Sequence, residues 1–123
     1  MLISSEEECK INELLDLYYR SIGDSRFLDI LKKHSNCEGY GSPYCWCCFA
    51  NQVEEWDEDY FGENKVAYYF DPPSVDEDCT IIFSNEEFYK YLSIKCENYI
   101  NKFPDKKEDV VMYLRKTKLN LGV

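Results

Sequence analysis

The hydrophobic positions change their period twice along the chain. Ile11, Leu14, Leu15, Tyr18 and Ile22 recur at steps that keep them on one helical face. Ser4 or Ser5 can cap this helix, with Glu7 or Glu8 three residues later. In that pairing a hydroxyl and a carboxylate satisfy each other's free first-turn amides. Gly23 is a natural stop. Asp24 or Ser25 can open a second, shorter helix carrying Phe27, Leu28 and Leu31. His34 to Tyr44 reads as a loop, with Gly39, Gly41 and Pro43 as breakers.

From Cys45 to Phe83 aromatic and β-branched residues dominate and the period falls to two. Val66, Tyr68 and Phe70 share one face of a strand, and Cys79, Ile81 and Phe83 share one face of another. Pro72 and Pro73 lie in the turn between them, where a missing N–H removes no ladder bond. A third strand is expected between about Trp46 and Trp56, with a turn near Gly62. At Ser84 the helical period returns. Ser84 and Glu87 form a capping box ahead of Phe88, Tyr91, Leu92, Cys96, Tyr99, Ile100 and Phe103. Pro104 ends that helix and can sit in the first turn of a last one, striped by Val110, Val111 and Leu114. The order ααβββαα predicts an α+β fold, a small antiparallel β-meander with helices packed on one face. A chain of 123 residues, 45% hydrophobic, is expected to form one domain over residues 1–123 with an ample core.

Charge narrows the choice of partner. Twenty-four acids against fourteen bases give −10. Nucleic acid and anionic membranes both require positive charge and are not expected partners. The asymmetry is local: residues 1–63 hold 14 acids and 5 bases, whereas residues 64–123 hold 10 and 9. Ten acids fall within residues 54–78, with Lys65 the one base. Trp56 and Tyr60 are interleaved with them. Carboxylates speed the arrival of a basic protein, and aromatics anchor it once water is expelled. The candidate binding residues are therefore Glu54, Glu55, Trp56, Asp57, Glu58, Asp59, Tyr60, Asp71, Asp76, Glu77 and Asp78.

Catalytic chemistry finds little support. His34 is the one histidine. Gly39-Tyr-Gly41 fails the dinucleotide fingerprint because Tyr44 stands at the third glycine position. There is no P-loop, no Gly-x-Ser-x-Gly and no His-Glu-x-x-His. No catalytic residues are assigned and an enzyme is not expected. A zinc-binding regulatory module is the alternative, because His34-x-x-Cys37 and Cys45-x-x-Cys48 supply four soft ligands in two pairs. The competing reading is reduced thiols packed at a loop-to-strand junction, with no cofactor. Seven cysteines cannot all pair within the chain. The first residues lack a basic start and an apolar core, and no 18-residue apolar run occurs. These features predict a cytoplasmic protein with its thiols reduced.

Val66-Ala-Tyr-Tyr-Phe-Asp71, Thr80-Ile-Ile-Phe-Ser-Asn-Glu-Glu-Phe-Tyr-Lys-Tyr-Leu92 and Tyr99-Ile-Asn-Lys-Phe-Pro104 together resemble a known family. The segment from about Tyr60 to Leu114 is similar to the immunity proteins of bacterial contact-dependent growth inhibition (CDI), in particular those acting on ribonuclease toxins. The resemblance implies a non-enzymatic cytosolic protein, monomeric alone and 1:1 with its toxin. It would block the RNA-cleaving site on the C-terminal domain of a large secreted effector. An acidic nucleic-acid mimic that inhibits another protein is a further alternative. The family contributes no motif of functional residues, so the candidate site rests on charge and aromatic content.

Overall fold

Eighteen residues of amphipathic sequence form helix α1 (Ser5–Ile22), which Gly23 ends with a left-handed backbone at φ 85°. The computed structural model describes residues 5–42, 44–50, 56, 64–72, 75 and 77–123. A 3₁₀ turn at Asp24–Arg26 leads directly into α2 (Phe27–Ser35). Four strands follow, β1 (Tyr40–Ser42), β2 (Cys45–Phe49), β3 (Lys65–Phe70) and β4 (Cys79–Ser84). Helix α3 (Asn85–Lys102), a 3₁₀ turn at Pro104–Lys106 and α4 (Lys107–Leu121) complete the order. The α+β plan of two helices, an antiparallel meander and two helices stands.

The expected loop from His34 to Tyr44 needs correction at both ends. Helix α2 continues through Ser35, and Cys37, at φ 56°, makes the left-handed turn in place of a glycine. The amides of Cys37 and Glu38 then close onto the carbonyls of His34 and Lys33. Tyr40–Ser42 is a fourth strand, paired with β2 so that Gly41 lies opposite Trp46. A side chain at Gly41 would meet the Cys45 carbonyl and the Trp46 Cα, backbone atoms that cannot swing aside. The breaker is thus what lets this hairpin close.

The sheet order β1-β2-β3-β4 is a plain meander with every pair antiparallel. Register brings Cys45, Phe70 and Cys79 into one row, Cys47, Tyr68 and Ile81 into the next, and Phe49, Val66 and Phe83 into a third. That face meets the helices. Tyr18 of α1 packs edge-on against Tyr68 at 5.0 Å between ring centroids, and Tyr91 of α3 packs on Phe83 at 5.1 Å. Phe88 of α3 packs edge-on against Phe49 at 5.3 Å. Helix α4 packs on α2 and α3. The Asn120 side-chain amide donates to the Ser35 carbonyl, and the Asn85 side-chain amide donates to the Leu121 carbonyl at 3.2 Å.

The capping box at α3 forms as its spacing requires. The Ser84 hydroxyl accepts from the Glu87 amide at 3.1 Å, and the Ser84 amide donates back to the Glu87 carboxylate at 3.1 Å. Ser84→Ala should therefore cost about 1 kcal/mol. Urea unfolding is the check, and an unchanged midpoint would mean that the cap contributes nothing.

Candidate protein-binding site

The chain's run of acids is divided by β3. One set, Glu54 to Glu63, belongs to the connection that leaves β2 at Ala50 and returns at Asn64. The other set lies between Phe70 and Cys79, at the far end of the same strand. Six extended residues separate the two ends by roughly 17–20 Å. Asp71 is half-buried at that far end, where its amide donates to the Tyr44 carbonyl at 2.8 Å. Glu77 and Asp78 are exposed beside it, and Trp56 is 84% exposed. Glu54, Glu55, Asp57, Glu58, Asp59, Tyr60 and Asp76 lie outside the described residues. The candidate residues therefore belong to two connections anchored at opposite ends of the sheet.

Between those ends lies a second face of the sheet, whose residues are not among those the charge pattern singles out. Trp46 and Cys48 of β2, Ala67 and Tyr69 of β3, and Thr80 and Ile82 of β4 all point away from the helices. Register sets Trp46 opposite Tyr69, and their rings stack at 5.2 Å between centroids with 21° between planes. Ile82 is 50% exposed and Thr80 is exposed, whereas Ala67 is fully buried. The signal was present in the sequence. Tyr69 and Ile82 are apolar at positions where strict alternation would place polar residues.

The zinc quartet does not assemble. Cys45 faces the helices, while Cys48, three residues on in the same strand, faces the opposite side. In a helix that spacing brings two ligands together, but in a strand it separates them. His34 is fully buried, and its ring packs against Phe49 and Phe88. Its Nδ1 donates to the Glu38 carbonyl at 3.0 Å, and Nε2 has no partner. Among the described residues, no group of three or more His, Cys, Asp or Glu side chains is placed to hold a metal ion.

Five of the described thiols are also shifted away from nucleophilic work. Burial pushes Cys37, Cys47, Cys48, Cys79 and Cys96 upward, Cys96 to about 12. A reactive cysteine needs the opposite shift. Burial likewise lowers the His34 imidazole to about 4, so it is neutral near pH 7. Tyr18, Tyr19 and Tyr68 are raised by desolvation, and the Tyr19 and Tyr68 hydroxyls meet at 3.0 Å inside the core. These groups are packing and internal hydrogen-bonding elements.

Among the described residues, no helix is long and apolar enough to cross a membrane. No curated protein matches the chain. A family model described as CDI immunity protein matches residues 11–114.

Proposed function

The chain belongs to the CDI immunity protein family, and from that premise we propose that it neutralises a ribonuclease toxin domain by blocking the RNA-cleaving site with acidic surface. The toxin-neutralising role follows from membership of the family. The ribonuclease target is what the resemblance of residues 60–114 implies, and the charge pattern fits it. An enzyme that holds polyanionic RNA must line its cleft with positive charge. The observation that carries the proposal is the charge pattern of residues 54–78, with ten acids against one base. Carboxylates there stand in for RNA phosphates and pair with toxin arginines, two oxygens to one guanidinium. In this reading residues 1–123 act as one cytoplasmic immunity domain, binding the toxin 1:1 and catalysing nothing.

The test is kinetic. Glu55→Ala, Asp57→Ala and Asp59→Ala combined should slow association with the inactivated cognate toxin domain by about tenfold at low salt. The difference should shrink as the Debye length falls from ~30 Å at 0.01 M to ~8 Å at 0.15 M. Protection of cells that express the toxin should weaken in parallel. Glu6→Ala, Glu7→Ala and Glu8→Ala make the same charge change in the first helix and serve as the control. Equal rates and equal salt dependence for both triple variants would remove the 54–59 acids from the interface.

A further inference from the structure

We infer that the helix-free face of the sheet, with the stacked Trp46–Tyr69 pair at its centre, is the surface on which the basic toxin domain docks. This rests on the immunity reading above and deepens it by naming the contact area. Three observations support it. The first is composition: Trp46, Cys48, Ala67, Tyr69, Thr80 and Ile82 present no charge, and Lys65 at one end of β3 is the sole base on the strands of this face. Interface centres are depleted in charge and enriched in aromatics, with polar rims around them. The second is position. The connections that carry the ten acids join the sheet at its two ends, six acids at one and four at the other. The face itself carries no charge along its middle, and the strand ends where those connections begin are its two limits. The third is net charge. A chain carrying −10 around an apolar patch fits a partner that is basic.

Those features select among occupants. A second copy of this chain would set acids against acids, each molecule carrying −10. Like charges brought together that way oppose association. An RNA-binding cleft offers the required opposite pattern, with cations for phosphates beside surfaces on which bases stack. On this arrangement the acids speed encounter, and the aromatic centre and Ile82 add to the carboxylate–arginine pairs in setting how long the complex lasts. The division of labour differs from an interface made of the acidic segment alone, in which removing charge would abolish binding altogether.

Thr80→Lys and Ile82→Lys provide the test, because both positions are exposed and neither contributes to the helix-facing core. Each variant places a cation in the middle of the face, opposite a basic partner. Binding to the inactivated cognate toxin domain is measured by stopped flow and by dissociation kinetics, and melting temperature by circular dichroism. The expected result is about a hundredfold weaker binding, mostly through faster dissociation, with the melting temperature held. Ile94→Lys on the outer side of α3, at a position 43% exposed, should bind as wild type does. Wild-type affinity in both sheet variants would overturn the assignment. A steep fall in melting temperature for both would also overturn it, since the face would then be covered within the molecule. So would a wild-type dimer that Ile82→Lys converts to monomer. If the wild-type protein itself fails to bind the toxin domain, the immunity reading fails. If wild type binds and the sheet variants bind equally well, only the docking face fails.

Discussion

Phe88→Ala should cost the protein roughly 3–5 kcal/mol of stability. Phe88 is 1% exposed and touches three elements besides its own helix. Its ring lies 5.5 Å from the His34 ring of α2, 5.3 Å from Phe49 of β2 and 6.1 Å from Tyr68 of β3. Truncation removes ring contacts that tie α3 to α2 and to the middle strands, although the Phe27–Tyr99 stack between α2 and α3 remains. Aromatic neighbours pinned by their own strand register cannot collapse into the cavity. A domain of this kind holds about 5–15 kcal/mol in total, so the loss is a large share of its stability. Urea unfolding of wild type and variant measures the difference. Ile94→Ala, on the exposed side of the same helix, should stay within about 0.5 kcal/mol. A loss below about 1 kcal/mol for Phe88→Ala would mean that the aromatic cluster is not packed as described.

The same cluster should make the protein acid-labile through His34. In the fold the imidazole is neutral, with Nδ1–H bonded to the Glu38 carbonyl and Nε2 enclosed without a partner. Protonation would bury a charge and an unpaired N–H beside Phe49 and Phe88. Burial is the main cause of the fall from 6.5 to about 4, and the Glu38 hydrogen bond opposes it only in part. The sign follows directly. Below pH 6.5 the unfolded chain binds a proton that the folded chain refuses until about pH 4. Stability from this residue is therefore complete above pH 6.5 and drains away as pH falls toward 4. At ~1.4 kcal/mol per pH unit the interval amounts to on the order of 3 kcal/mol. As the one histidine, His34 gives a single pair of imidazole C–H resonances, so its titration can be followed without assignment to one of several rings. Carboxylates titrate nearby, so His34→Gln supplies the comparison. Its stability should fall less steeply between pH 7 and 4.5. Parallel pH profiles, or an NMR titration midpoint near 6.5, would contradict the burial described here.

The legible parts of the chain are those whose interactions close within a few residues. Ser84 and Glu87 are one helical turn apart, so their capping box was readable and is present. Val66, Tyr68 and Phe70 announced a helix-facing row through alternation, as did Cys79, Ile81 and Phe83, and register confirms both rows. Tyr40–Ser42, expected as loop, is a strand for the converse reason. A three-residue strand with glycine at its centre has no periodicity of its own and exists because β2 pairs with it. The boundary of α2 shifted similarly, because Cys37 adopts a turn that spacing does not announce.

Function divides along the same line. The sequence by itself determined the charge asymmetry, the missing catalytic motifs and the α+β order, because each is a property of composition or local period. Only the tertiary structure decided what those residues face. It set Cys45 and Cys48 on opposite sides of one strand, which separates a quartet that looked like a zinc site. It divided one run of acids between the two ends of β3. It stacked Trp46 on Tyr69, residues far apart in sequence. Each outcome depends on strand pairing, in which a shift of one residue exchanges the two faces. That register is fixed by the packing of nine helix-facing side chains against α1, α2 and α3, a condition spread over the whole chain.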